Sequence, residues 1–393
     1  MKIFFRSVAV VVAQLFLVSI LFSASAEAAI VDGLYEAEVL VQNQSKSERE
    51  QAMSSALTQV FKKVSGRSNV QTLPGVADAI SNADRFLQQY LYRGVGEAQY
   101  PIPQAEPGSQ LAWFRFDENA VNRILRDNNV PVWGRTRPAT LVWLAIEQDG
   151  SRYMLGSDSA EELRDVLEYE AQRQGMALVL PLLDLQDQRA LSFADLWGNF
   201  QDSILSASAR YQAESVLVGR LSLASSGAWS GRWSLYESGR NVNWQSQGGY
   251  ADEVLSTGVS GAVEALASHY ALAYNADTPG VVYLAVSGVT SLKDYARVSS
   301  YLNSLELVKD IQPAMVDGNS ARFLLDIRGT GESLAQTIKL GNVLQEEQVT
   351  IETPSVNPSP AANFFGVSST FNDSAQGQSP GYKSPDYTYR LMP

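Results

Sequence analysis

Chemistry in a protein needs a nucleophile, an acid or base, or a ligand set, and this chain offers few of each. Its single histidine, His269, lies in the helical run Val263-Glu264-Ala265-Leu266-Ala267-Ser268-His269-Tyr270. A Ser-His-Asp hydrolase would need that imidazole as its base, but neither a Gly-x-Ser-x-Gly elbow nor a Ser-x-x-Lys pair accompanies it. Carboxylates are the remaining catalytic option. Asp184 and Asp187 follow the apolar stretch Ala177–Leu183, and Asp195 comes shortly after. Ligands gather at the carboxyl ends of strands in α/β sheets, and a pair of carboxylates can run glycoside hydrolysis. Acidic loop residues are nevertheless ordinary in a chain with 42 Asp and Glu.

Nucleotide and metal signals are thinner still. Gly329-Thr330-Gly331 stands between a strand and a helix, yet Leu334 occupies the place of a third glycine and no phosphate-binding lysine follows. With no Cys and one His, thiol catalysis, zinc–thiolate sites and the usual His-based metal sites are excluded. Trp229 and Trp233 share one strand face by period-2 geometry, with Trp244 on the next strand. The opposite faces carry Ser230, Arg232, Ser234, Asn243, Gln245 and Gln247. That split reads as a core-packing face, with a sugar-stacking platform as the alternative. No catalytic, cofactor-binding or metal-ligating residue is therefore expected, and no cofactor.

The elements around these residues fall into segments. The N-terminus has Lys2 and Arg6, an apolar stretch from Val8 to Phe22, and small residues through Ala29, the layout of a cleaved secretory signal over residues 1–28. The apolar stretch falls short of the roughly 20 residues a transmembrane helix needs. Ala26 and Ala28 suit a cut before Ala29, and Ala24 and Ala26 a cut before Glu27. Removing residues 1–28 takes away Lys2, Arg6 and Glu27, so the length falls from 393 to 365 and the net charge moves from −12 to −13. An acidic chain of this kind repels polyphosphate, so nucleic acid is not an expected partner. No later segment is long and apolar enough to span a membrane.

Residues 29–134 read as a small α+β domain in the order β-α-α-β-β-α. A strand at 34–42 precedes a helix from Ser47, with Glu50 closing a capping box and Gly66 ending it. A second helix is expected over 75–90, then strands near 92–100 and 110–116, then a helix capped by Asp117. Residues 135–278 read as a layered α/β domain: strands at 139–146 and 177–183, a helix capped by Asp158 with Glu161, a helix at 199–211, a strand at 215–223, the Trp-bearing strands 229–236 and 242–249, and a helix at 252–274. Residues 279–353 follow the order β-α-β-β-α-β of a ferredoxin-like sandwich, its last strand at 349–351. Residues 354–393, rich in Pro, Ser, Gln and Gly, read as a disordered tail. The fold class is thus α/β and α+β, three small mixed domains and a tail.

Two groups of residues carry a likeness. One is Val31-Asp32-Gly33-Leu34-Tyr35-Glu36-Ala37-Glu38-Val39 with Ala56-Leu57-Thr58-Gln59-Val60 and Val64-Ser65-Gly66-Arg67; the other is Val132-Trp133-Gly134 with Arg137-Pro138-Ala139-Thr140-Leu141-Val142-Trp143-Leu144. Together they resemble an exported gammaproteobacterial family known only as a domain of unknown function. The resemblance implies a periplasmic setting and brings no activity with it. Ala213-Glu214-Ser215-Val216-Leu217-Val218-Gly219-Arg220, before a Trp-bearing strand pair, is similar to the α/β domains of Tol-translocation and curli-secretion proteins, which are envelope assembly modules. The expectation is a periplasmic, non-enzymatic interaction or assembly module whose partners are envelope proteins. Its rivals are a glycan or peptidoglycan hydrolase using acidic residues, and a small-solute binding protein.

Overall fold

The structure, a computed structural model, describes residues 29–98, 105–159, 162–271, 279–305, 307–341, 343–347 and 385–392. The expected signal segment lies outside them. The chain divides into two compact units, one of residues up to Asp277 together with Glu332–Asn342, the other of Thr278–Gly331 and residues from Val343 onward.

The first unit opens with the short strand β1 (Ala29–Ile30) and with β2 (Glu36–Val41). Helix α1 (Lys46–Ser65) follows. Its cap is Ser45, whose hydroxyl accepts from the Glu48 amide, and not Ser47 as expected. Both serines precede a glutamate by three residues, and the local pattern cannot choose between them. Gly66 ends the helix with φ +65°, a left-handed cap that glycine adopts freely. Helix α2 (Pro74–Ser81) is shorter than the expected 75–90. The chain leaves it at Asn82, makes a 3₁₀ turn, and enters β3 (Leu87–Gly94). That strand pairs with β4 (Gln110–Phe116), which also pairs with β2, giving the order β2-β4-β3. Helix α3 (Glu118–Asp127) is capped by Asp117 as expected. One apolar cluster, from Leu34 to Val132, is shared by these elements.

After β5 (Thr136–Arg137), which pairs with β1, comes the strand β6 (Thr140–Gln148). Its Val142, Leu144 and Ile146 join one core cluster and its Leu141, Trp143 and Ala145 another. An apolar run on both faces marks a strand covered on both sides. Its hairpin partner β7 (Ser151–Leu155) is not among the expected strands, although Asp149-Gly150, with φ 50° and 77°, is a strong two-residue hairpin signal. Helix α4 (Glu162–Gln174) leads to β8 (Leu178–Val179), only two residues of the expected strand 177–183. Pro181 lacks the N–H a ladder needs, and Leu183 turns the chain with φ 53°. Three short helices follow, α5 (Leu185–Ala190), α6 (Phe193–Gly198) and α7 (Gln201–Ser208). Strands β9 (Ser215–Leu223), β10 (Trp229–Glu237) and β11 (Arg240–Gly248) complete a sheet of order β11-β10-β9-β6-β7, with β8 also on β6. Helix α8 (Ala251–Tyr270) packs with α4 on the face of Trp233, while α6 and α7 cover part of the other.

The second unit contains β12 (Pro279–Ser287), α9 (Leu292–Ser304), β13 (Val308–Asp317) and β14 (Ser320–Arg328). Along β14, Ala321, Phe323, Leu325 and Ile327 are buried alternately with half-buried neighbours, the signature of a sheet with one covered face. Helix α10 (Gly331–Leu340) is next in the chain, then β15 (Leu344–Glu346) and β16 (Tyr387–Leu391). The expected strand 349–351 lies outside the described residues. The sheet order is β13-β14-β12-β16-β15. In a ferredoxin-like sheet the fourth strand would lie beside the first, but here β16 occupies that place, parallel to β12 and antiparallel to β15. Residues 354–393 were expected to be a disordered tail, and for Tyr387–Leu391 that expectation is corrected. Tyr389 is 2% exposed, and a buried aromatic supplies the apolar area that offsets the entropy of ordering the strand.

Candidate functional site

The carboxylates singled out in the sequence are brought together, but as structural groups. Asp184 caps α5, accepting from the amides of Gln186 and Asp187. The Arg210 guanidinium binds Asp184 through both oxygens, at 2.7 and 2.9 Å, and reaches Asp187 at 2.8 Å. That pairing holds the Asp184 carboxyl well below the usual carboxylate range. Asp187 is fully buried and also accepts from the Leu183 amide and the Tyr211 hydroxyl. Burial, and then the bond to Asp187, push the Tyr211 phenol up to about 12. A carboxylate held ionised by a guanidinium has no proton to give, so Asp184 is unsuited to general acid catalysis. Asp195 belongs elsewhere, in a reciprocal capping box with Ser192 at the start of α6.

His269 sits at the end of α8, 3.8 Å from Glu237, which Arg240 pairs at 2.6 Å, and edge-on to Tyr270. Trp229 and Trp233 are core residues as expected. Gly329 and Gly331 serve the β14–α10 connection: a Cβ on Gly331 would stand 2.7 Å from the Tyr387 hydroxyl, so glycine admits β16. Among the described residues no group of three or more His, Asp or Glu is placed to hold a metal ion.

The site that sequence reasoning missed lies where the N-terminal cluster meets the larger sheet. Arg137 is completely buried, stacked 4.0 Å from the Trp133 ring, and donates to the carbonyls of Gly175, Lys63, Trp133 and Gly134. It thus ties the end of α1 to the end of α4. Glycines make the approach possible. A Cβ on Gly66 would stand 2.1 Å from the Ala267 Cβ, and one on Gly175, 2.7 Å from Arg137 Nη1. Lys63 lies on the apolar stripe of α1 with Val60 and Val64, the one signal that could have revealed it. Its ammonium donates to the carbonyls of Gly33 and Glu36. Burial, and then the charge of Arg137, bring its pKa down to about 8.

Two cavities adjoin this junction and share Gln59, Lys63 and Arg173. The first, about 500 Å³, is lined by the acids Asp32, Glu36, Glu38 and Glu97 and by Lys63, Arg93 and Arg173, a nearly balanced set. The second, about 460 Å³, is lined by Lys62, Lys63, Arg67 and Arg173, with Glu264 as the one acid among its described lining residues. Trp244 and a small-residue face of α8 form much of the rest of its wall, with Gln59, Gly66, Ser68 and Gln174.

A family model described as "Domain of unknown function (DUF8605)" matches residues 28–134. No curated protein matches. A solved structure described as "Crystal structure of uncharacterized protein" aligns with 34% of this chain and 97% of its own, at 12% identity and a TM-score of 0.15; a likeness that low carries no argument. Among the described residues no helix is long and apolar enough to cross a membrane.

Proposed function

We propose that this chain is exported to the periplasm and acts there as a non-enzymatic interaction or assembly module, adding an extended segment of an envelope partner to its large sheet along β11. The observation that carries this reading is the condition of that edge. Strand β11 lies at the end of the sheet order and is paired with β10 over nine residues without a register shift. It contains neither Lys nor Pro, its one charged residue, Arg240, stands at its first position paired with Glu237, and Val242 is 43% exposed. Proteins usually blunt a free edge with such residues or with a bulge. The edge strand β13 of the second unit is blunted in this way, with Lys309, Pro313 and two register shifts. A straight, unblunted edge suits strand addition, in which main-chain hydrogen bonds supply affinity. The Arg210–Asp184–Asp187 network supports this reading over the hydrolase, because it holds Asp184 ionised and engages both carboxylates as structural groups.

The test is affinity capture of the tagged protein from cross-linked envelopes, comparing the native chain with Val242→Lys/Gln245→Lys, which places two charges on the edge. A partner captured by the native chain and lost by the folded variant is the expected result. Equal capture by both overturns the edge. Turnover of glycan strands by the purified protein, absent in a folded Asp187→Asn variant, overturns the non-enzymatic reading.

A further inference from the structure

We propose that the cavity bounded by α1, the end of α4, Trp244 and α8 is a binding site for a small hydroxylated molecule carrying an oxyanion, a phosphate or a carboxylate.

The argument begins with charge. The chain as a whole carries −12, and the neighbouring cavity of about 500 Å³ mixes acids with bases. Here four cations meet one acid. Lys63 and Arg173 are engaged, the first with the carbonyls already named and the second with Glu170 at 2.6 Å and the Ser256 hydroxyl at 3.2 Å. Lys62 and Arg67 make no ion pair among the described residues. Lys62 is half-buried, and its pKa is lowered by that burial and by the charge of Arg173. Lys62 and Arg67, held near two further cations and lacking an ion pair of their own, are stabilised when an anion joins them.

Hydrogen-bonding groups point to the rest of the ligand. The indole N–H of Trp244 is buried with no acceptor, and an unmet buried donor is unfavourable. The indole edge that carries it lies against Gly261, where a Cβ would stand 2.5 Å from Nε1, and the ring is near-parallel to that of Trp233. Ser260 adds a hydroxyl to the wall, and Glu264, steadied by Ser68 at 2.9 Å, adds an acceptor. A wall that combines cations, the hydroxyls of Ser256, Thr257 and Ser260, and one acceptor matches a molecule bearing both an acid and hydroxyl groups. Its volume is that of a small-molecule site. A long polyanion is disfavoured because the surrounding chain repels it.

Isothermal titration of the full-length mature protein with glucose 6-phosphate, glucuronate, inorganic phosphate and glucose tests the proposal. Saturable binding of glucose 6-phosphate or glucuronate, tighter than that of either inorganic phosphate or glucose, is the expected result. Which of the two binds tells phosphate from carboxylate. Lys62→Ala/Arg67→Ala should weaken that binding at least tenfold, since a hydrogen bond to a charged group contributes about 1.5–3 kcal/mol. Both side chains reach solvent, so the variant should melt as the native chain does. Absence of heat with both acids, or unchanged affinity in Lys62→Ala/Arg67→Ala, overturns the site. Neither result bears on strand addition at β11, whose test uses different residues.

Discussion

Substituting Gly66 by alanine probes the junction directly. Two costs are expected. Gly66 has φ +65°, a conformation that costs an L-residue about 1–2 kcal/mol. Its new Cβ would also stand 2.1 Å from the Ala267 Cβ and 3.2 Å from Trp133 Cε3. Carbon atoms sit best at about 3.5–4.0 Å, so the end of α1 and the last turns of α8 must move apart. Overpacking of a well-filled core costs about 1–3 kcal/mol. Together the two place Gly66→Ala at about 2–5 kcal/mol of destabilisation. The double variant Gly66→Ala/Ala267→Gly separates them. It removes the overlap, retains the φ penalty and adds about 1 kcal/mol for a glycine within a helix. It should therefore lose less stability than the two single variants summed, by about 1–3 kcal/mol. Calorimetry suits the measurement because the chain has two compact units and need not melt in one step. A Gly66→Ala loss below about 1 kcal/mol, or strict additivity in the cycle, would show that α1 and α8 are not in close contact at this point.

Other consequences follow from the same geometry. Tyr389→Ala should destabilise the second unit by about 3 kcal/mol, the cost of emptying a buried aromatic site, and removing residues from Asp386 onward should cost at least as much; calorimetry would expose an unaffected transition. Lys63 is buried and its pKa falls from 10.5 to about 8 on folding. Between those values the unfolded chain binds the extra proton, so stability rises with pH through that window, by about 3 kcal/mol over its width. Urea denaturation of the native chain and Lys63→Met at pH values from 7 to above 10 should show their difference shifting in favour of the native chain as pH rises; a constant difference would refute the assignment. Asp187→Asn takes one of two carboxylates from the solvent-reaching Arg210, which keeps Asp184, and disturbs the acceptor of the Leu183 amide and the Tyr211 hydroxyl, so about 1–3 kcal/mol should be lost from the first unit, as read by its denaturation midpoint.

Much of the architecture is local and was therefore legible. The apolar run of β6 states that both faces are covered, and the alternation of β14 states that one is. Gly66, Asp117 and Gly175 punctuate helices through conformations and hydrogen bonds that depend on a few neighbouring residues. The two core tryptophans of β10 followed from period 2 alone. Where local signals were degenerate, the structure chose. Ser45 caps α1 although Ser47 has the same spacing to a glutamate, and residues 87–91 join β4 although they extend a helical pattern.

The candidate site was not legible, for a physical reason. Arg137 is satisfied by carbonyls at positions 63, 133, 134 and 175, and backbone carbonyls carry no mark in a sequence. The cation-rich cavity collects Lys62 and Arg67 from the end of one helix, Arg173 from another and Trp244 from an edge strand. Each is ordinary in its own segment, since charge density depends on distance in space and not along the chain. The strand Tyr387–Leu391 is the clearest case. Its composition and its Pro- and Ser-rich approach read as tail, and only a vacant place beside β12, about a hundred residues earlier in the chain, makes those five residues a strand.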